Sequence, residues 1–233
     1  MKSLMFDFVG PRWNPYCMRC PHGCFYCWAE ALKAGKLKDA ERYVKLREDG
    51  QPFMVQKEFR RRFKHGETVF VEDMGDLFAQ CVPDAVIWRV FKFIEEHEAV
   101  TFLLMTKNPA RYVDLYRNGC MPKNVIYGTT IESDLNYPEI SLAPPQSKRL
   151  LAIKMMHDLN CRIFISIEPI LDFGSEFVKQ LRACGPWAVA VGYDNYAHKL
   201  TEPALAKTEA LIRDLEMFTR VCRKTLRKAH WET

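Results

Sequence analysis

Five short apolar runs rich in β-branched residues punctuate the chain, at 68–72, 101–105, 125–130, 162–167 and 187–191. Apolar residues occupy successive positions in each, the pattern of strands buried on both faces of a parallel sheet. Between them the apolar spacing lengthens to that of a helix. Over 84–97, Ile87, Val90, Phe91 and Ile94 share one face. Over 147–159, Ser147 is placed to cap a helix carrying Leu150, Leu151, Ile153 and Met155, and over 174–183 Phe177, Val178 and Leu181 form a stripe. A helix is expected from about Trp28 to Leu46, and another from near Pro203, a residue suited to a first helical position. In that last helix Leu205, Ile212, Leu215 and Val221 are expected to face the core. Strand–helix alternation predicts right-handed βαβ units around a parallel sheet. With the segment that precedes the cysteine-rich stretch there are about six such units, so the fold expected is α/β: a partial (β/α)6 TIM-like barrel with parallel strands, plus a C-terminal helix. The barrel is placed at 1–200, with a C-terminal helical extension at 201–233 packed on the same domain.

In such folds ligands sit at the carboxyl ends of the strands. The residues that follow each run are therefore the ones to watch: Glu72-Asp73-Met74, Thr106-Lys107-Asn108, Thr130-Ile131-Glu132, Ser166-Ile167-Glu168 and Gly192-Tyr193-Asp194-Asn195.

Composition narrows the chemistry. The longest apolar runs are far too short to cross a bilayer, and the first residues carry neither a long apolar stretch nor a small-residue cleavage site. We therefore expect no signal peptide, no membrane anchor and a reducing cytoplasmic setting. The nine cysteines of this 233-residue chain then argue for metal or cluster ligation rather than a disulfide framework: the number is odd and four fall within eleven residues. The net charge of +5 is concentrated in Arg60-Arg61-Arg62-Phe63-Lys64-His65 and in Arg220, Arg223, Lys224, Arg227 and Lys228. It permits an anionic partner without requiring one, and a charge run of this length is more often a solvated face.

The cysteine-rich stretch reads Asn14-Pro-Tyr16-Cys17-Met-Arg-Cys20-Pro-His22-Gly-Cys24-Phe-Tyr26-Cys27-Trp28-Ala. Within it Cys20, Cys24 and Cys27 form C-x3-C-x2-C. Thiolates are the usual ligands of iron–sulfur clusters, and three of them hold three irons of a cubane, leaving the fourth open. This motif, with Tyr26 just before its last cysteine, resembles the radical S-adenosylmethionine (SAM) superfamily. The wider setting is similar to the branch that includes phage Gp37/Gp68-like proteins, more distantly to spore photoproduct lyase. Phe70-Val-Glu-Asp-Met-Gly-Asp-Leu-Phe78, Leu104-Met-Thr-Lys-Asn-Pro109, Gly128-Thr-Thr-Ile-Glu132 and Ile165-Ser-Ile-Glu-Pro169 extend the resemblance over roughly 13–195. Cys17 departs from it. Four thiolates in two close C-x2-C pairs also suit a tetrahedral zinc site, although such pairs are generally spaced more widely. A fourth thiolate on the cluster would block SAM, so Cys17 is read as a bystander.

The resemblance implies a [4Fe–4S] cluster on Cys20, Cys24 and Cys27, with SAM as cofactor and a reductant such as flavodoxin or ferredoxin. It implies a SAM-amine acceptor at Glu72 or Asp73, beside Met74, and ribose contacts at Thr130 and Glu132. Tyr26, Thr106, Lys107, Ser166 and Glu168 complete the cofactor-binding set; Lys107 is read as a partner of the SAM carboxylate or of an acid such as Glu168. Tyr193 is the candidate hydrogen donor to a substrate radical, though a tyrosine at such a place is more often a packing residue. His22 is read as a tuner of the cluster, and Trp13, Tyr16, Phe25 and Trp28 as its shield. Kinship with a lesion-repair lyase and the basic runs make nucleic acid or a nucleotide a candidate substrate. Two other classes compete: a zinc-stabilised nucleic-acid-binding protein without catalysis, and an electron carrier with four cysteine ligands.

Overall fold

The computed structural model describes residues 5–119 and 121–233. In chain order the elements are β1 (Arg12–Trp13), β2 (Tyr16–Cys17), α1 (Trp28–Ala34), α2 (Glu41–Asp49), β3 (Phe53–Met54), β4 (Thr68–Val71), α3 (Asp84–Glu95), β5 (Thr101–Thr106), α4 (Ala110–Asn118) and β6 (Val125–Thr130). Then come α5 (Gln146–Asp158), β7 (Arg162–Ile167), α6 (Phe177–Ala183), β8 (Ala188–Val191), α7 (Leu205–Glu216) and β9 (Arg220–Arg223). Among the described residues seven strands form one parallel sheet in the order β1-β4-β5-β6-β7-β8-β9, while β2 and β3 pair separately and antiparallel. Each consecutive pair in the large sheet is joined through helix, as the alternating pattern requires.

The strands are apolar throughout because both faces are buried. Val69, Val71, Phe102, Leu104, Tyr127, Ile163, Ile165, Val189 and Val191 face the helices and form the main core. The alternate residues Phe70, Leu103, Ile126, Phe164, Ala188 and Ala190 face inward, where Phe6 and Val9 of the N-terminal segment cover them. Phe6 meets Phe164 edge-on, with ring centroids 4.6 Å apart. Each such buried ring contributes roughly 1.5–3 kcal/mol, so the segment plugs the floor of the half-barrel. Gly128 serves the same face. A Cβ there would lie 2.2 Å from the Met105 sulfur, so only glycine lets Met105 lie across β6.

Four local expectations are revised. The helix expected over 28–46 is two, α1 and α2, because the chain turns at Gly35, whose amide closes onto Ala31 and Leu32 carbonyls. Helix α4 was not anticipated from the apolar spacing. Pro145, not Ser147, stands at the N-terminal boundary of α5, and Leu151 points to solvent at 62% exposure. The helix expected through Val221 ends at Glu216, and Val221 lies in β9, paired in parallel with Val189 of β8. The C-terminal extension is thus a helix followed by a seventh strand of the sheet. No helix among the described residues is long and apolar enough to cross a membrane.

Candidate active site

Strand β2 ends at Cys17, and the loop from there to α1 carries the other three thiols. Cys17 does not share their surroundings. It is 3% exposed, packs with Ala29, Tyr43 and Leu46, and its thiol donates to the Arg42 carbonyl at 3.5 Å. Burial pushes it up to about 11. Cys20, Cys24 and Cys27 instead line one cavity of about 150 Å3 at the carboxyl ends of β4 and β5, with His22, Asp73 and Asp76. Among the described residues no three His, Cys, Asp or Glu side chains group as they would around a single ion. Three thiols spread around one cavity suit a cluster that takes each at a different iron, and in donor chemistry they fit the [4Fe–4S] group. Burial pushes Cys20 up to about 12 and raises Cys27 as well, so loading a metal there releases protons.

Four buried carboxylates organise the walls. Directly after β4 the backbone of Glu72 takes φ 56°, the left-handed region. That costs a non-glycine residue on the order of 1–3 kcal/mol and turns Glu72 away from the cavity. Its Oε2 accepts the Tyr16 amide at 3.0 Å, and burial pushes its carboxyl up to about 8, the Asp73 charge adding to the rise. Asp73 lines the cavity, its carboxylate covered by Asn14 at 2.7 Å and Arg12 at 3.2 Å. Asp76 accepts four donors: His22 Nε2 at 2.7 Å, the Thr106 hydroxyl at 2.8 Å, and the amides of Lys107 and Phe78 at 2.9 Å each.

Glu132 is the fourth. Tyr26 and Lys107 both donate to its Oε1, and Arg149 donates to Oε2 at 2.8 Å. Lys107 also donates to the Tyr26 hydroxyl at 2.8 Å, and Arg149 to the Thr130 carbonyl at 2.7 Å. Burial alone would raise this carboxyl, but Lys107 and Arg149 outweigh it and hold Glu132 at about 2. Two cations, Lys107 and Arg149, thus meet one carboxylate beside Thr130.

A larger cavity of about 690 Å3 opens from the same wall and lies within the usual range for small-molecule sites, roughly 300–1,000 Å3. Tyr26, Lys107, Thr130, Ser166 and Glu168 line it, over Met105 and Phe6. Ser166 and Glu168 project from the same side of β7, and the Ser166 hydroxyl donates to Glu168 at 3.2 Å. The partner of Glu168 is Lys224, 3.9 Å away on the chain just beyond β9, and not Lys107. Burial raises the Glu168 carboxyl, against the pull of Lys224 and Ser166. Tyr193 contributes to the wall, but its hydroxyl donates to the Pro203 carbonyl at 3.0 Å and meets Thr208 at 2.7 Å. Tyr196, 56% exposed, lines this cavity and lies 6.0 Å from His198, whose ring also meets Phe25, 63% exposed, at 5.3 Å.

Of the residues read from sequence, Cys20, Cys24, Cys27, Asp73, Met74, Thr106, Lys107 and Thr130 converge on the smaller cavity, and Tyr26, Ser166, Glu168 and Tyr193 on the larger. Glu72 and Glu132 stand behind the wall. Trp28 lines both cavities, whereas Trp13 stacks on Phe93, 4.3 Å away, in the helix-side core. Asp76, Arg149 and Lys224 were not anticipated. For Asp76 the signal was present, since it ends the strand-end run Glu72-Asp-Met-Gly-Asp76.

A family model described as "Protein of unknown function (DUF5131)" matches residues 5–193. No curated protein matches. Among solved structures the chain is similar to spore photoproduct lyase complexed with dinucleoside spore photoproduct, with a TM-score of 0.60 and 13% identity over 94% of this chain and 79% of that one. It is also similar to Streptococcus suis SuiB bound to S-adenosylmethionine, with a TM-score of 0.54 and 12% identity over 93% of this chain and 51% of that one. SuiB bound to its precursor peptide SuiA gives a TM-score of 0.52 and 12% identity over 95% and 50%. The chain therefore spans about half the length of SuiB. At these identities the likeness is one of fold: the open parallel sheet and its helices are shared.

Proposed function

We propose that this chain, which belongs to the DUF5131 family, is a cytoplasmic radical SAM enzyme. The observation that carries the reading is the placement of the cysteines. Cys20, Cys24 and Cys27 face one cavity at the carboxyl ends of parallel strands, while Cys17 is withdrawn into a separate packing cluster. That leaves three ligands for a [4Fe–4S] cluster and none from Cys17, which speaks against both a four-cysteine zinc site and a fully ligated electron carrier. When bound and reduced by a flavodoxin or ferredoxin, the cluster and SAM supply a 5′-deoxyadenosyl radical that abstracts hydrogen from the substrate.

The chain's own residues bind and orient. Asp73 is the better acceptor for the SAM amine than Glu72, because it lines the cavity and Glu72 does not. The backbone of Met74 lies beside it. Lys107, which lines both cavities, is placed for the SAM carboxylate, with Thr106 its neighbour in the smaller one. The hydroxyls of Thr130 and Ser166 and the carboxylate of Glu168 are placed for the ribose and the adenine side. Glu132 acts through its bonds, fixing Tyr26 and Lys107. Trp28 and Met105 narrow the cavity and exclude water, which strengthens each polar contact inside it.

Nucleic acid or a nucleotide is the substrate class we propose. The exposed ring of Tyr196 in the cavity wall suits stacking on a base, and the similar lyase structure holds a dinucleoside spore photoproduct. The test is anaerobic reconstitution with iron and sulfide, followed by dithionite and SAM and chromatography for 5′-deoxyadenosine. Product that disappears in Cys24→Ala supports the reading. Stoichiometric zinc with no iron or sulfide overturns it.

A further inference from the structure

We propose that Asp76 is a positioning residue that holds the cysteine loop through His22; this rests on the radical SAM reading. His22 sits between Cys20 and Cys24 and is 6% exposed. Its Nε2 lies 2.7 Å from Asp76 Oδ2. That oxygen also accepts from the Thr106 hydroxyl at 2.9 Å and the Lys107 amide at 2.9 Å. His22, Thr106 and Lys107 thus meet on one carboxylate oxygen, and the contact fixes the orientation of the imidazole ring. The His22 carbonyl is fixed too, accepting from the Leu142 amide at 2.7 Å and the Ser141 hydroxyl at 3.4 Å. The same Ser141 hydroxyl lies 3.1 Å from the Cys24 sulfur. His22 is thus clamped by its side chain to the end of β5 and by its backbone to the 141–142 segment.

The consequence reaches the thiols, since His22 is two residues from Cys20 and two from Cys24. Outer partners that hold a metal's ligands in place without ligating it are worth about 10–100-fold in metal affinity or activity. Asp76 has that geometry toward the loop as a whole.

Asp76→Asn separates this role from simple packing. The side chain keeps its size, but one of the two oxygens that together receive His22, Thr106, Lys107 and Phe78 becomes an NH2 group that only donates, so the clamp cannot keep all of its bonds. In reconstituted protein we expect unchanged circular dichroism and initial iron content within twofold of wild type. Iron release to a chelator should run about 10–100-fold faster, and the electron paramagnetic resonance signal of the reduced cluster should shift. His22→Ala should speed release by the same factor, and the double variant no further. Release at the wild-type rate in Asp76→Asn, or single-variant effects that multiply, overturns the proposal while the radical SAM reading stands. A wild-type chain that takes zinc and no cluster overturns both. If Asp76→Asn fails to fold, His22→Ala carries the test, since it leaves Asp76 its other three donors. Wild-type release in that variant overturns the proposal.

Discussion

Glu72 is the buried carboxyl whose replacement has the clearest signature. Its ordinary value is 4.5 and burial pushes it to about 8. Between those values the folded chain holds a proton that the unfolded chain has lost, so stability falls as pH rises across that window. The 3.5-unit separation (8 − 4.5) corresponds to about 5 kcal/mol above pH 8, at 1.36 kcal/mol per unit. At pH 7 the cost is about 3 kcal/mol and at pH 5 about 1 kcal/mol. Glu72→Gln removes this titration and keeps an oxygen for the Tyr16 amide. Any fixed effect of the new amide is the same at every pH, so the slope is the diagnostic. Urea unfolding of cluster-free protein under reductant, at pH 5, 6, 7 and 8, should show the variant gaining about 2 kcal/mol on wild type between pH 5 and pH 7. Parallel curves, or a variant that loses ground as pH rises, would refute the argument. The same variant should still produce 5′-deoxyadenosine, because its side chain is turned from the cavity, whereas Asp73→Asn should lose it.

Glu132→Gln has the opposite sign. Its carboxyl is held at about 2, so its contribution is present above the ordinary 4.5 and lost as pH falls toward 2. The variant leaves Lys107 and Arg149 without their carboxylate and should cost about 3–5 kcal/mol at pH 7, read by urea unfolding; an effect below 1 kcal/mol would refute the pairing. Cys17→Ala should retain a full complement of cluster iron and sulfide, while Cys20→Ala, Cys24→Ala and Cys27→Ala should abolish SAM cleavage; loss of the cluster in the Cys17 variant would overturn the ligand assignment. Tyr193→Phe should cost about 1 kcal/mol in stability for the lost bonds to Pro203 and Thr208, with substrate turnover retained. Abolished turnover, in a variant that still makes 5′-deoxyadenosine, would make Tyr193 the hydrogen donor.

What the sequence disclosed and what it hid divide along a physical line. A strand buried on both faces must be apolar at every position, and a covering helix must repeat at 3.6, so the parallel sheet and most of its covering helices were legible, α4 excepted. Strand β9 was not. Arg220-Val221-Cys222-Arg223 lies at the sheet edge, its arginines are exposed, and only its two central residues are apolar. Missing it hid Lys224, which the strand delivers to the cavity opposite Glu168.

The site shows the same division. The cysteine spacing encodes its chemistry within one loop, because all three thiols reach one cavity from a few consecutive residues. Glu72 and Asp73, in contrast, are neighbours of the same charge, and composition cannot rank them. The left-handed turn at Glu72 decides which lines the cavity, and that turn is held by the Tyr16 amide 56 residues away. Arg149 is the same kind of case. An arginine within a helix reads as a solvent contact, yet it is 2% exposed because Glu132 and the Thr130 carbonyl receive it. The residues that sequence misplaced are those whose partners lie on other elements of the barrel. The same holds for Asp76, whose neighbours in the chain say nothing of the histidine it meets 54 positions earlier.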